Sequence, residues 1–270
     1  MHISHWELGN WNTCPFYHKL VHIDKINTWN DNEYFAFGRA IHDTCEKYFT
    51  DLQIRRSNGG RGIGWLMQDK TPEYFDIQFL QEIKKLTNSK TLNKELVSSM
   101  RQQGKKIISM VPEATSDYFG NFKVISVEEK IMEPINEYKL DNIDFKGRLD
   151  FVLQTEDKKY HIIDWKTCSW GWNARKKSDK MTTYQLTYYK HYFAQKHNID
   201  PKNIETYFAL IKRTAKQNNI EFVRTPCGVK KTDNAIEFMM NALQNIKKKN
   251  YIKNRLSCER CVFRKTEHCP

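Results

Sequence analysis

Two aspartates and one lysine lie close together in residues 147–166, whose sequence is GRLDFVLQTEDKKYHIIDWK. Asp150 and Asp164 stand among apolar residues, and Lys166 follows Asp164 by two positions. Two carboxylates that meet in an apolar setting repel each other and resist ionisation, and a bound divalent cation relieves both effects. Few oxygen ligands, with room left for water and phosphate, suit Mg²⁺ or Mn²⁺. With a lysine beside such a metal, the pattern predicts metal-dependent cleavage of a phosphodiester bond.

The elements that position these residues are predicted to be the two strands of a hairpin. Residues 143–153 and 160–167 are rich in β-forming residues, and the polar turn 155–159 separates them. A turn centred on Asp157 places Asp150 and Asp164 opposite each other, with Cβ atoms roughly 4.5 to 5.5 Å apart. Lys166 then points to the same face as Asp164. The alternative is a surface hairpin in which Asp164 and Lys166 form a solvated ion pair.

The pattern G-x-x-D followed by I-I-D-W-K resembles the core motif of the PD-(D/E)XK nuclease superfamily. Gln185 and Tyr189 are similar to the Q-x-x-x-Y motif of its RecB-type branch, and Gly38 and His42 resemble the G-x-x-x-H helix of that branch. Residues 11–20, WNTCPFYHKL, resemble its C-P-x-x-(Y/H)-K-(L/Y) opening. The four motifs stand in the expected order along nearly the whole chain, and residues 55–123 carry none of them.

The resemblance implies an α/β fold with a PD-(D/E)XK restriction-endonuclease-like core, in which helices flank a central mixed sheet. It also implies that a histidine joins the two aspartates on the metal, that the lysine assists the attacking water, and that the glutamine and tyrosine position the substrate. The implied metal ligands are His42, Asp150 and Asp164, and the implied catalytic residues are Asp150, Asp164, Lys166, Gln185 and Tyr189.

Each matched residue also has an ordinary structural interpretation. His42 lies on a different stripe of its helix from the apolar residues, where a histidine is commonly a surface or hydrogen-bonded residue. Gln185 and Tyr189 lie one helical turn apart and can pack or cap without touching substrate. Glu128 resembles an acidic residue that precedes G-x-x-D in relatives, but the adjacent Glu129 leaves that assignment open.

The cysteines form a second constellation near the end of the chain. Cys258 and Cys261 form a C-x-x-C pair, and Cys269 follows after seven residues. Three cysteines do not close a tetrahedral site. The resemblance implies that Cys14 is the fourth ligand and that a [4Fe-4S] cluster joins the two ends of the chain. The rival is a zinc site that uses Cys14, Cys258, Cys261 and either Cys269 or His268.

Cysteine usage also bears on the compartment. The chain has seven cysteines, an odd number that a closed disulfide scaffold does not use, and it shows no signal-peptide pattern and no spanning apolar stretch. A reducing, cytoplasmic location is therefore expected, and the resemblance implies a prokaryote or a phage-infected host. Cys45, Cys168 and Cys227 are predicted to be structural.

The charge of the chain favours a polyanionic substrate. The formal net charge is +12, and basic proteins are biased towards nucleic acid through counterion release. Residues 169–177, SWGWNARKK, place two tryptophans before three cations directly after the second strand of the hairpin. Such a segment can stack unpaired bases and hold the backbone, although a loop packed by its own tryptophans is the alternative. The predicted nucleic-acid-binding residues are Trp170, Trp172, Arg175, Lys176 and Lys177.

These features together predict a stand-alone, divalent-metal-dependent DNA exonuclease that prefers single-stranded DNA and resembles CRISPR-adaptation and phage nucleases. A helicase, recombination or CRISPR-adaptation partner is expected, because the sequence carries no helicase motif. The glycine-rich residues 56–64 lack the Lys-Ser/Thr ending of a P-loop, so no ATP site is expected. The alternatives are a non-catalytic nucleic-acid-binding accessory protein with the same fold and a zinc-stapled RNA-binding module.

The pattern of the chain predicts one elaborated domain over residues 1–270, with a helical part to about residue 120, a nuclease core at about 121–230, and a C-terminal helix with the cysteine cluster at about 231–270. Periodicity predicts helices at residues 37–52, 74–86, 92–110, 181–197 and 233–251, and strands at residues 122–132, 143–153, 160–167, 204–212 and 220–225. Residues 56–64 are predicted to form a flexible loop.

Overall fold

The computed structural model describes residues 2–26, 31–57, 67–86, 92–136 and 143–270. It confirms all five predicted helices and all five predicted strands. The helices are α1 (His5–Thr13), α2 (Pro15–His18), α3 (Glu33–Ser57), α4 (Thr71–Lys85), α5 (Lys94–Ile108), α6 (Val111–Phe119), α7 (Ala174–Ser178), α8 (Lys180–His197) and α9 (Val229–Lys247). The strands are β1 (His2–Ser4), β2 (Phe122–Pro134), β3 (Asp144–Thr155), β4 (Tyr160–Cys168), β5 (Ile204–Lys212) and β6 (Ile220–Arg224).

The elements that sequence reasoning missed are short. They are β1, α1, α2, α6 and α7, and segments of this length carry little periodicity. The predicted loop at residues 56–64 needs a correction at its start, because Arg56 and Ser57 belong to the last turn of α3. Residues 58–64 of that prediction lie outside the described residues. No helix of the described part of the chain has the length and apolar character needed to cross a bilayer.

The mixed sheet is organised around β3. One edge of β3 pairs with β2 over its full length in the antiparallel sense. The other edge pairs with β4 through residues 151–154 and with β1 through residues 144–146. Beyond β4, the sheet continues with β5, which is parallel to β4, and ends with β6, which is antiparallel to β5. The first residues of the chain therefore share a sheet with the predicted nuclease core.

Helices cover both faces of this sheet, as expected. On one face α8 and α9 pack their tyrosines and aliphatic residues against β3 and β5. On the other face α3 to α6 enclose an aromatic core that includes Phe37, Phe49, Phe151 and Trp165. Burial of both faces explains why β5 reads as a nearly continuous apolar run.

The register of the hairpin β3–β4 is the predicted one, but the strands separate sooner than expected. Phe151 pairs with Ile163, and the ladder ends there. In a continued ladder the next pair would be Asp150 and Asp164, the two residues predicted to face each other directly. Their predicted cross-strand pairing is therefore wrong, because the ladder stops one pair short of them, and further along the same edge β1 pairs with residues 144–146 of β3. Beyond this point the backbone groups of β4 that face β3 have no backbone partner on β3, so side chains can hydrogen-bond to them.

The strand pair β2–β3 is irregular at the same level. Val127 pairs with Phe151 and Glu129 pairs with Leu149, whereas the intervening Glu128 has a left-handed backbone with φ of 50°. Leu149 and Phe151 belong to opposite hydrophobic cores, although residues two apart share a face in a regular strand. A left-handed glutamate is strained, and such strain is commonly found at functional sites.

Candidate active site

The gap between β3 and β4 is filled by two predicted metal ligands that bind the backbone N–H and C=O groups of one residue, Trp165. The backbone N–H of Trp165 donates to Asp150 Oδ2 at 2.8 Å. The carbonyl oxygen of Trp165 lies 3.0 Å from His42 Nε2. Side chains from β3 and α3 thus replace the missing ladder bonds of β4. This arrangement holds Asp150 and His42 side by side, with Oδ2 and Nδ1 3.5 Å apart.

The contacts of His42 determine its tautomer. A carbonyl oxygen only accepts hydrogen bonds, so Nε2 of His42 carries the proton that it donates to Trp165. Burial lowers the pKa of His42, although the charge of Asp164 opposes this effect. The imidazole is therefore neutral at neutral pH, and its Nδ1 lone pair faces Asp150. A metal-binding histidine typically has this arrangement, with one nitrogen held by a backbone carbonyl and the other free to coordinate.

Close packing of α3 on β4 places His42 at this position. Gly38 stands one turn before His42 on α3. A Cβ atom at Gly38 would lie 3.3 Å from Thr167 Oγ1 on β4, which is tighter than an ordinary contact. The glycine of the G-x-x-x-H pattern thus allows the helix to approach the strand closely enough for the histidine to reach Trp165.

Asp164 lies on the other side of the site, where it contacts two predicted catalytic residues. Its side chain is 2% exposed. Gln185 of α8 donates to Asp164 Oδ1 at 2.8 Å, and the ammonium of Lys166 lies 2.5 Å from Oδ2. The prediction that Lys166 and Asp164 share a face is confirmed. Oδ2 is buried and has no hydrogen-bond donor of suitable geometry within the described chain.

The carboxylates determine the charge of Lys166. Burial alone would lower the pKa of its ammonium, but the charges of Asp164 and Asp150 outweigh burial and raise that pKa. Lys166 is therefore a cation in this structure. Its ring neighbour is Phe208, 5.9 Å away.

Tyr189 completes this side of the site. Gln185 Nε2 lies 3.2 Å from the Tyr189 hydroxyl, so the glutamine links Tyr189 to Asp164. The ring of Tyr189 packs against the backbone of Gly147 on β3. The Q-x-x-x-Y pattern on α8 and the G-x-x-D pattern on β3 therefore interlock.

The structure selects Glu128 rather than Glu129 as the acidic residue on β2. One ligand atom from each of His42, Glu128 and Asp150 lies within 4.8 Å of the others, and no other histidine, cysteine or acidic group in the described residues forms such a set. Glu129 instead binds Lys196 and His197 of α8. The register of β2 and β3 places Glu128 at the level of Asp150. The sequence alone does not give this register.

The electrostatics of this set favour a cation. Burial, and then the charge of Asp164, raise the pKa of Asp150 well above its ordinary value, although the hydrogen bond from Trp165 opposes the shift. Burial, and then Asp150, raise the pKa of Glu128 to about 6. Arg148 lies 3.2 Å from Glu128 Oε2 and offsets part of this effect. Carboxylates that resist ionisation in this way gain most from a bound divalent cation.

The predicted nucleic-acid-binding segment divides into exposed and packed residues. Trp170 is 77% exposed. Trp172 packs on Phe208, with ring centroids 4.9 Å apart, and Lys176 lies over its outer face. Lys177 pairs with Glu221 on β6 at 2.6 Å.

The segment after Trp172 is helical because Asn173 caps α7 by accepting from the backbone N–H of Lys176. The remaining cation of the predicted set, Arg175, also lies on this helix and is exposed. Trp170 and Arg175 are therefore the members of the predicted set with the least contact to the protein.

The four cysteines of the predicted cluster line one cavity of about 330 Å³. Cys14 reaches it from the junction of α1 and α2, and its sulfur accepts from the backbone N–H of Asn254 at 3.3 Å. The chain folds back on itself here, since Cys261 N–H donates to the carbonyl of Cys258 and Lys265 N–H donates to that of Cys269. All seven cysteines are described, and none forms a disulfide. The predicted structural Cys45 and Cys227 are buried, and Cys168 is half-buried.

Comparison with known proteins finds a matching family model and similar solved structures. The family model described as the PD-(D/E)XK nuclease superfamily matches residues 2–269. A candidate exonuclease from Eubacterium rectale has a similar structure, with a TM-score of 0.53 and 13% identity over 97% of this chain and 86% of its own. SSO0001 aligns over 85% of this chain and 92% of its own, with a TM-score of 0.38 and 12% identity. No curated protein matches the sequence.

Proposed function

Because this chain belongs to the PD-(D/E)XK nuclease superfamily and is a metal-dependent nuclease, we propose that it is an exonuclease that hydrolyses single-stranded DNA. The observation that carries the proposal is the convergence of His42, Glu128 and Asp150 within 4.8 Å, beside the buried pair of Asp164 and Lys166. The overall hydrolysis adds water across a phosphodiester, so that one P–O bond breaks and a phosphate monoester and a hydroxyl remain.

The donor set fits Mg²⁺ or Mn²⁺. We propose that Asp150, Asp164 and His42 hold the ion, with Glu128 as an added acidic neighbour. The Nδ1 of His42, which binds no backbone group, and the Oδ2 of Asp164, 2.5 Å from the Lys166 ammonium, are two atoms that a metal would use. Carboxylate oxygens are typical ligands of these metals, and thiolates, which select softer metals, are absent from the set. When bound, the ion supplies positive charge that activates water and offsets charge on the phosphate.

The protein residues have separate tasks in this proposal. Lys166, as a cation 2.5 Å from Asp164, can orient the attacking water and donate to a non-bridging phosphate oxygen. Gln185 fixes the rotamer of Asp164 through its 2.8 Å hydrogen bond. Tyr189 holds Gln185 in place and can reach the substrate phosphate. Arg148 adds a positive charge at the rim of the site.

The preference for single-stranded DNA rests on exposed aromatic and cationic side chains near the site. Trp170 is exposed directly after β4, whose Asp164 and Lys166 are catalytic in this proposal, and Arg175 follows it on α7. Exposed tryptophan stacks unpaired bases, and arginine holds the backbone. Duplex substrates would need a separate helicase or recombination partner. A reducing compartment is proposed because seven cysteines lie in this chain without a disulfide.

We propose that the cavity between the chain ends holds a [4Fe-4S] cluster through Cys14, Cys258, Cys261 and Cys269. A tetrahedral zinc site with Zn–S bonds of about 2.3 Å places its sulfurs about 3.8 Å apart. Among the described residues, which include every cysteine, no three sulfurs lie within 4.8 Å of one another. The cavity of about 330 Å³ also has room for a group much larger than one ion. Both observations favour the cluster over zinc.

The deciding experiment is a nuclease assay with end-labelled single-stranded and duplex DNA and RNA, with Mg²⁺, Mn²⁺ or EDTA. We expect stepwise shortening of single-stranded DNA from an end, with no cleavage in EDTA. Asp164→Asn removes a catalytic charge with little change in volume, and we expect it to abolish cleavage while DNA binding persists. A wild-type protein that binds DNA but never cleaves it would support the non-catalytic accessory protein. Cleavage of RNA alone would refute the DNA preference.

A further inference from the structure

A second cavity, of about 640 Å³, adjoins the proposed catalytic residues. Gln185 and Tyr189 form part of its wall, and Gln185 also donates to Asp164 in the active site. Arg148 lies at the same wall and contacts Glu128. Gln185 and Arg148 therefore connect the wall of the cavity to the catalytic carboxylates. None of the residues predicted from sequence to bind nucleic acid lines it.

The wall of this cavity is positively charged. Lys130 on β2 pairs in register with Arg148 on β3, and Lys146 lies two residues before Arg148. No acidic side chain in the described part of the chain pairs with the ammonium of Lys130 or Lys146. Among the described residues that line the cavity, Glu7 is the one acidic residue, and the buried His18 holds it at 2.9 Å. The free cations thus face a space next to the site of phosphodiester cleavage.

The same cavity presents an aromatic platform. Trp6 is 57% exposed, although tryptophan usually buries most of its large surface. Its ring meets the edge of His22, with centroids 4.6 Å apart. Asn10 fixes His22 through a 2.9 Å contact between their side-chain nitrogens, and His18 stacks on its other side. Trp6 is therefore an exposed aromatic ring on a rigid support.

We infer that this cavity binds the unpaired nucleotide adjacent to the scissile phosphate. The base stacks on Trp6, while Lys146 and Arg148 bind the phosphate that joins this nucleotide to the rest of the chain. The volume falls within the range of roughly 300 to 1,000 Å³ typical of pockets that enclose a ligand of nucleotide size. The inference rests on the proposed nuclease function.

The test uses the full-length Asp164→Asn protein with Mg²⁺ and short single-stranded oligonucleotides. Each oligonucleotide carries one 2-aminopurine, whose fluorescence falls when it stacks on tryptophan, and the position of the label is moved along the strand. We expect a strong quenching position, separate from any that Trp170 causes, that disappears on adding Trp6→Ala and persists on adding Trp6→Phe, because phenylalanine retains a stacking face. Trp170→Ala is expected to leave this position quenched.

Binding affinity gives a second readout by fluorescence anisotropy. Loss of a stacked base is expected to weaken binding by about tenfold or more in Trp6→Ala. Lys146→Ala is expected to weaken binding and to reduce its salt dependence, because one fewer phosphate is neutralised. Lys123→Ala is the matched control, since this exposed lysine lies on the same strand as Lys130 but away from the cavity.

The outcomes separate this inference from the proposed function. Unchanged quenching and affinity in Trp6→Ala would overturn the cavity assignment and leave the nuclease activity standing. Failure to bind any oligonucleotide would overturn both. If RNA binds and DNA does not, the same variants are measured with RNA. Loss of quenching in Trp6→Ala would then support the cavity and refute the DNA preference.

Discussion

The ring of Tyr189 lies where a side chain at position 147 would stand. A Cβ atom built on Gly147 would be 2.9 Å from Cε1 of Tyr189, closer than such atoms approach in folded proteins. The glycine of G-x-x-D thus makes room for the tyrosine of Q-x-x-x-Y. Through Gln185, that tyrosine is connected to Asp164. Two motifs that are far apart in sequence therefore form one unit.

Gly147→Ala is expected to move Tyr189 and with it Gln185, and so to misplace Asp164. We expect kcat to fall about 10-fold to 100-fold, with a loss of about 1 to 3 kcal/mol of stability from overpacking. The measurement is single-turnover cleavage combined with denaturant unfolding. Gly9→Ala is the control, because the space around Gly9 is open and alanine favours the helix α1. Full activity in Gly147→Ala would contradict the proposed link.

Asp150→Asn is expected to abolish cleavage and yet to stabilise the metal-free protein at neutral pH. Because the pKa of Asp150 is raised by folding, the folded state binds this proton more tightly than the unfolded state does. Its contribution to stability is therefore present in full at low pH and is lost as pH rises towards the folded pKa. The asparagine keeps an oxygen that accepts from Trp165 but carries no charge.

The pH dependence of this effect can be measured. Glu128 contributes in the same direction, since its pKa is raised to about 6. In EDTA, the difference in Tm between Asp150→Asn and wild type should grow from pH 4 to pH 7, and Mg²⁺ should stabilise wild type alone. Carboxylates with a lowered pKa, such as Glu82 and Asp76, make stability depend on pH in the opposite direction. Subtracting the Tm of wild type from that of the variant cancels their contribution. A wild type that is more stable than the variant in EDTA at pH 7 would refute the prediction.

His42→Ala is expected to change metal dependence more than folding. The imidazole supplies one neutral ligand atom and one hydrogen bond to Trp165, and its side chain is only partly buried. We expect a large increase in the Mg²⁺ concentration that gives half-maximal activity, or loss of activity, with a change in metal-free Tm of only a few degrees. His197→Ala, which removes a surface contact to Glu129, is the control. A large loss of Tm with unchanged metal dependence would show that His42 is purely structural.

Anaerobically purified protein is expected to be brown, with an absorption band near about 400 nm that disappears on oxidation. Cys14 lies more than two hundred residues from Cys258, so a shared cluster closes a very long loop. Cys14→Ser and Cys261→Ser should each bleach the protein and lower its stability. Cys45→Ser, at a buried position of α3 outside the cavity, should keep the colour. A colourless wild type with one bound zinc would establish the zinc site instead.

The sequence alone determined the elements and most of the site. The apolar alternation around residues 143–167 specified the hairpin and its register, because a slip of one residue would turn every buried side chain outwards. The spacing of Gln185 and Tyr189 placed them on one face of α8, since residues four apart are neighbours on a helix. These are local periodicities, and a chain carries them before it folds.

The tertiary structure decided what local periodicity cannot express. It placed Glu128 rather than Glu129 beside Asp150, because β2 has irregular backbone there. It directed the carboxylate of Asp150 to the backbone N–H of Trp165, because the ladder between β3 and β4 ends at Phe151 and Ile163. Both outcomes depend on how the strands pair. Contacts between segments far apart in sequence determine that choice, and no single segment encodes it.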